Sequence, residues 1–293
     1  MKAASFDYIR VTTLDEACKA LSEFGEEACI IAGGQTLIPL MAMRLARPSK
    51  VIDINEVEEL AGITIENGLL VIKARTRQAE ALSSNIVNEK LPLLAEALSH
   101  VGHTQTRNLG TIGGSLVNAD PAAEIPLIAQ TLEAIITVKS VRGERNIPAN
   151  EFFESAMATS LAPDECLVEV RFPIWAGEKI GFGFHEVSIR DSDYALAAAA
   201  AQILLDDGDN CKQISLAICG ASPTPVRLRP QEELMLGKNL NDELIKVTCN
   251  DFHNLIEPQS DVHADANYRS RVAKVMATRA ICDARDRAKG ILR

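Results

Sequence analysis

The stretch that decides the reading is GHTQTRNLGTIGGSLVNADPAAE, Gly102–Glu124. At its centre, Thr111-Ile112-Gly113-Gly114-Ser115 sets two adjacent glycines between hydroxyl side chains. Paired glycines carry no Cβ, so backbone N–H groups there can approach a ligand closely, and hydroxyls beside them add donors. An echo stands earlier, at Ala32-Gly33-Gly34-Gln35-Thr36-Leu37, where a glycine pair is again followed by a hydroxyl residue and a leucine. Two such segments converging from separate parts of the chain would clamp a pyrophosphate with neutral donors. Either pair alone also reads as a tight turn after a strand. Neither has the spacing G-x-x-x-x-G-K-[ST] or G-x-G-x-x-G, so the P-loop and the Rossmann fingerprint both fail.

Composition fits neutral donors. The chain has 293 residues, with 30 Lys and Arg against 40 Asp and Glu, a net charge of −10 and 47% hydrophobic residues. That length suits about two domains with a substantial core. The acidic balance argues against nucleic acid, whose binding needs clustered cations. No apolar run reaches the roughly 18 residues a transmembrane helix requires, and MKAASFDYIR has no secretory apolar core. The cysteines at 18, 29, 166, 211, 219, 249 and 282 are odd in number and scattered. They read as reduced thiols of a cytoplasmic protein, and without a C-x-x-C pair they offer no zinc or iron–sulfur framework.

Working outward, Thr13 and Glu16 have capping-box spacing at the head of a helix over 14–24. Residues 28–32 and 51–54 read as strands, with a helical turn or two over 37–44 between them. Residues 63–72 form a hairpin whose Asn67-Gly68 supplies a type I′ turn. A helix over 91–99 starts with Pro92 in its first turn. Strands follow at 134–138 and 166–172, the first ending near a turn at Arg142-Gly143. Residues 173–179 lose periodicity, and a domain boundary is placed there, dividing 1–176 from 177–293. Beyond it come strands around Phe182 and Phe184 and over 214–218, a turn at 222–225, and a long helix from 265 to 289. The alanine run 195–201 is ambiguous, because alanine favours helix while tertiary pairing can override propensity. Strands and helices without a sustained βαβ period indicate α+β, not a doubly wound sheet.

Two segments carry a family resemblance. IAGGQTLIPLMAMRLARP (Ile31–Pro48) followed by VIDIN (Val51–Asn55) resembles the first FAD loop of the medium, flavin-binding subunits of molybdenum hydroxylases, the xanthine dehydrogenase and carbon monoxide dehydrogenase group. Gly102–Glu124 is similar to that family's R-N-x-G-T-I-G-G-S-x-x-x-A-D-P-A-A-E signature nearly in full. Phe184–Ala195, the turn before Val226-Arg227, and Asp261 through Arg269 are similar to its C-terminal domain. The resemblance implies a PCMH-type FAD-binding domain of two α+β subdomains, followed by a smaller α/β domain of the CO dehydrogenase flavoprotein C-terminal type. It implies that Ala32, Gly33, Gly34, Gln35, Thr36 and Leu37, with Thr111, Ile112, Gly113, Gly114 and Ser115, contact the FAD pyrophosphate and ribityl region. Asp120 would accept hydrogen bonds from FAD hydroxyls, and Tyr194 would lie against or beside the isoalloxazine.

It further implies a large partner subunit carrying molybdopterin cytosine dinucleotide–molybdenum and a small one with two [2Fe-2S] clusters, assembled as a dimer of heterotrimers. This chain would pass their electrons through FAD to NAD, a quinone or another acceptor. Three positions depart from the pattern: Thr36 where Ser is common, Leu109 where a basic residue is frequent, and Ala197–Ala201 where the family has Val-Gly-Val-Ala-Ala. By resemblance that last run is a strand.

Other candidates are weaker. His100 and His103 lack a third ligand at metal spacing, and His103 instead suits the flavin edge or a partner surface. Asp120 and Glu124 fit helix N-terminal charges better than an acid–base pair. Arg44, Arg47 and Arg107 stand beside the glycine segments as phosphate partners or as solvated surface. Two rival readings remain: a self-sufficient flavin oxidoreductase, which needs a substrate base not evident here, and a flavin-free assembly protein.

Overall fold

The computed structural model describes residues 2–292. The chain begins with β1 (Asp7–Arg10), α1 (Leu14–Phe24), β2 (Ala28–Ile31), α2 (Leu37–Ala42) and β3 (Lys50–Asp53). The strands make a small parallel sheet in the order β1-β3-β2. Thr13 and Glu16 form the expected capping box at α1. The hairpin β4 (Ile63–Glu66) and β5 (Leu69–Lys73) turns through Asn67 and Gly68, both at positive φ, as a type I′ turn demands.

Six helices follow: α3 (Gln78–Ser83), α4 (Asn85–Lys90), α5 (Pro92–His100), α6 (Thr104–Leu109), α7 (Ile112–Asn118) and α8 (Glu124–Thr131). The chain then returns through β6 (Ile135–Ser140), β7 (Gly143–Pro148), the short α9 (Ala149–Phe152), β8 (Phe153–Ser155), β9 (Ala158–Thr159) and β10 (Cys166–Pro173). A five-stranded sheet results, in the order β4-β5-β10-β6-β7.

Residues 174–179 carry no regular structure. The last part has β11 (Ile180–Ser188), β12 (Ala195–Leu205), β13 (Cys211–Cys219) and β14 (Val226–Arg227) in one antiparallel sheet, then α10 (Arg229–Met235), α11 (Asp242–Cys249) and the long α12 (Ala266–Ala288). The seven cysteines are all unpaired, five of them buried. No helix among the described residues is long and apolar enough to cross a membrane.

Two strands each face two cores. Along β10, Cys166 and Val168 pack with α1 and the parallel sheet, whereas Leu167, Val170 and Phe172 pack with the helices α3–α8. A register shift between Leu167 and Glu169 lets the two sets swap faces along one strand. Along β12, Ala198 and Ala200 join that second core, while Ala197, Ala199 and Ala201 face the core around α12. This alternation explains why an alanine run is a strand. Both faces are covered at close range: a Cβ on Gly181 or Gly183 of the neighbouring β11 would overlap the α12 carbonyls of Ala284 and Ala280. Packing of that closeness admits only small side chains, and it overrides alanine's helical preference.

Candidate functional site

Between the parallel sheet, the helices α6–α8 and the loop leading into β12 lies a cavity of about 700 Å³, within the size range of ligand pockets. Of the residues expected at a ligand, Ala32, Gly33, Gly34, Gln35, Thr36 and Leu37 line it, as do Thr111, Gly113, Gly114, Ser115, Asp120 and Tyr194. Ile112 does not line it; its side chain is fully buried in the core.

The two glycine segments differ in structure. Gly33 and Gly34 lie in the loop between β2 and α2, with Gly34 at φ +67°. The N–H groups of Gly33, Gly34, Gln35, Thr36 and Leu37 make no hydrogen bond among the described residues, and the Thr36 hydroxyl makes none either. Consecutive unpaired amides around a left-handed residue form a nest for an anion. Asn55 steadies this loop from behind, donating from Nδ2 to the carbonyl of Ala32 at 2.8 Å, and Arg77 holds Asn55 Oδ1 at 2.7 Å while also donating to the carbonyl of Leu109. A Cβ on Gly33 would overlap that same Leu109 carbonyl, so the glycine lets the two segments meet backbone to backbone.

Gly113 and Gly114 instead sit inside the first turn of α7. The expectation of exposed amides fails here. Ile112 N–H donates to Thr76, Gly113 N–H to Ala74 at 2.8 Å, Ser115 N–H to Thr111, and Gly114 N–H to the Thr111 hydroxyl at 3.0 Å, an N-cap. A Cβ on Gly113 would overlap Ala74, so this glycine serves close packing of α7 on the strand end. What the second segment offers the cavity is side chains. The hydroxyl of Ser115 is unengaged among the described residues, and Thr111 keeps its own proton to donate while accepting the cap bond.

Asp120 follows the left-handed Ala119, at φ 47°. One of its oxygens accepts from Ala122 N–H at 2.9 Å, leaving the other for a donor in the cavity, and burial raises its pKa. The segment is held on both sides, by Met157 N–H to Ala119 and by Gly220 N–H to Pro121 at 2.8 Å. Tyr194 stands at the rim, 68% exposed, at the end of the loop joining β11 to β12.

Several lining residues carry no local sequence signal. Gln78 is buried with Oε1 unpartnered against Gly110, and Met157–Leu167 contributes another wall. Glu124 is 8% exposed, and burial pushes its carboxyl up to about 8. Among the described residues the wall contains no lysine or arginine. Arg107 donates to the carbonyls of Val101 and Gly102, and Arg47 to that of Arg44. An anion here is therefore met by amides and hydroxyls. The free amide run suits an anionic group, the orphaned Gln78 oxygen suits a donor, and the volume suits a large ligand, a combination found in a dinucleotide.

Comparison with known proteins agrees with this chemistry. The family described as "FAD binding domain in molybdopterin dehydrogenase" matches residues 4–175, and "CO dehydrogenase flavoprotein C-terminal domain" matches residues 182–284. The chain is 37% identical to the 6-hydroxypseudooxynicotine dehydrogenase complex subunit alpha of Paenarthrobacter nicotinovorans, covering 99% of this chain and 97% of that one. It is 36% identical to the caffeine dehydrogenase subunit beta of Pseudomonas sp. (strain CBB1), covering 98% and 97%. Among solved structures, a carbon monoxide dehydrogenase from Hydrogenophaga pseudoflava, in a form lacking the Mo-pyranopterin moiety of the molybdenum cofactor, superposes with a TM-score of 0.94 at 33% identity, covering 98% of this chain and 99% of that one.

Proposed function

The chain belongs to the FAD-binding medium subunits of the molybdenum hydroxylases, an oxidoreductase family, and from that membership we propose that its cavity holds FAD on the electron path of a multi-subunit complex. The observation that carries the assignment of the site is the run of amides from Gly33 to Leu37, unpaired among the described residues, in a segment that lines the cavity. These amides would take the pyrophosphate. Thr111 and Ser115 would offer hydroxyls to the ribityl region, Asp120 would accept from hydroxyls of the cofactor, and Tyr194 would border the isoalloxazine. Residues 1–176 form the FAD-binding portion in this reading, and 177–293 brace it through β12.

When bound, FAD supplies the capacity to take electrons singly and release them in pairs. The protein's part is to hold it, and to exclude water with the apolar walls from α2 and residues 157–167. Electrons would arrive from two [2Fe-2S] clusters of a small partner and leave to NAD, a quinone or another acceptor. A large partner with molybdopterin cytosine dinucleotide–molybdenum would oxidise the substrate, the whole forming a cytoplasmic dimer of heterotrimers. The names of the relatives support this division, since a caffeine dehydrogenase subunit beta and a carbon monoxide dehydrogenase medium chain are 36% and 33% identical to this chain.

The test is co-expression with a large molybdopterin subunit and a small iron–sulfur subunit, followed by visible spectroscopy and identification of released cofactors. FAD together with iron–sulfur bands and molybdenum is the expected result. A complex that assembles without flavin would refute the assignment and favour an assembly role.

A further inference from the structure

At and behind the cavity wall stand three titratable side chains from distant parts of the sequence, Glu124 within electrostatic reach of Glu186 and His100. Glu124, at the first turn of α8, lines the cavity and is buried. Glu186, on β11, has its side chain 6% exposed, with Oε1 3.2 Å from Nδ1 of His100 and Oε2 buried without a partner. His100, at the last turn of α5, packs its ring at a tilt against Phe184 and opens to the surface, its side chain 39% exposed. A buried carboxylate oxygen with no partner is where an ordered water belongs. We propose that Glu124, Glu186 and His100 form a proton path between the cavity and the protein surface, Glu124 exchanging protons with the redox cofactor; this rests on the FAD assignment above.

The surroundings suit the task. The groups acting on Glu124 are Asp120 from the preceding turn, His100 of α5 and Glu186 of β11, with Tyr194 and Cys219 of β13 also in electrostatic reach. Glu96 of α5 acts on His100 and is itself held by Arg287 at 2.7 Å. Desolvation, reinforced by the charge of Glu186, keeps Glu124 protonated near neutral pH. The bond to Glu186 raises the pKa of His100, so the imidazole charges readily at the outer end. A donor inside and a recharging base outside are what a relay requires.

The bookkeeping closes on protons alone. Two electrons delivered to a bound flavin, by iron–sulfur centres in the complex or by dithionite in a test, draw in one proton. The O–H bond of Glu124 breaks to supply it. Glu186 takes the Nδ1 proton of charged His100 and passes one through water to Glu124, and His100 recovers a proton from solvent. Both carboxyl groups end as they began, and oxidation runs the sequence backwards.

The test uses the flavin-loaded complex in wild-type, Glu124→Gln and His100→Ala forms, with flavin content measured first. In the wild type, the reduced-minus-oxidised infrared difference spectrum should contain a carboxylic-acid C=O band that shifts in D₂O; it should vanish in Glu124→Gln. Proton uptake on dithionite reduction, followed with a pH indicator, should slow by about tenfold or more in both variants. Added imidazole should restore it in His100→Ala. A band that survives in flavin-loaded Glu124→Gln, wild-type uptake in His100→Ala, or slow uptake that imidazole leaves unchanged would overturn the path. Absence of flavin from the wild-type complex would instead overturn the cofactor assignment, and the path with it.

Discussion

Gly33 separates two explanations for a glycine pair, since its missing Cβ leaves room for the Leu109 carbonyl, not for a ligand atom. Gly33→Ala should push the amide nest away from the α6–α7 segment, costing roughly 1–3 kcal/mol of overpacking and most of the bound flavin; normal flavin content in that variant would refute the nest. Ser115→Ala removes one unengaged hydroxyl and nothing structural. It should weaken flavin binding by roughly 1 kcal/mol, about fivefold in Kd, with thermal stability unchanged. Glu124 gives a pH signature. Its carboxyl titrates near 4.3 when unfolded, roughly the ordinary value, and at about 8 when folded. Its contribution to stability is therefore fully present below the unfolded value and is lost as pH rises through the folded one. Glu124→Gln abolishes that loss. The variant should gain on the wild type by roughly 1.4 kcal/mol per pH unit between the two values at most, so its denaturation midpoint should exceed the wild type's more at pH 8 than at pH 5. Parallel curves would show that Glu124 does not titrate in this window.

At the scale of elements, β11 and α12 meet through missing side chains. Gly183→Ala would drive a Cβ into the Ala280 carbonyl. Because both partners are regular backbone, neither can yield cheaply, and the variant should lose roughly 1–3 kcal/mol, measurable by urea denaturation; an unchanged midpoint would mean the helix floats free of the strand. The same contact shows why some elements were legible in the sequence and others were not. Helix α1 declared itself through Thr13 and Glu16, and the β4–β5 hairpin through Asn67-Gly68, since caps and turns are written in adjacent residues. The strand β12 was not readable from alanine propensity, because its reason lies in the cores on either side; only the family resemblance assigned it correctly. Gly113-Gly114 looked like a loop with free amides. It is a helix start, because Thr111 caps the turn and Ala74 and Thr76 accept the leading amides, none of which glycine spacing encodes. The Glu124–Glu186–His100 group was equally out of reach, assembled as it is from α8, β11 and α5.

Across the whole molecule, the double-faced strands make the cavity depend on residues far from it. β10 joins the first two cores and β12 joins the second to the third, so no core can open without stripping a face from its neighbour. Arg227 of β14 reinforces this. With its side chain 8% exposed, it pairs with the equally buried Glu232, donates to the Ser215 hydroxyl at 2.8 Å, and reaches across to the carbonyl of Thr131 at 2.9 Å, the last residue of α8. Glu232 also accepts from Leu216 N–H at 2.7 Å. Replacing the arginine with a hydrophobe of similar length leaves that carboxylate buried without its cation, a loss of about 3–5 kcal/mol in comparable pairs. Arg227→Met should therefore lower the melting temperature by several degrees, and it should do so in a single transition. It should also loosen the end of α8 opposite Glu124, so that flavin dissociates faster although the substitution stands far from the amide nest. Two resolved transitions in calorimetry, with only the first shifting on flavin binding, would show that the C-terminal sheet folds independently and that the cavity needs nothing from it. One transition that moves as a unit with added FAD would tie the fate of the site to α12, β12 and Arg227 together.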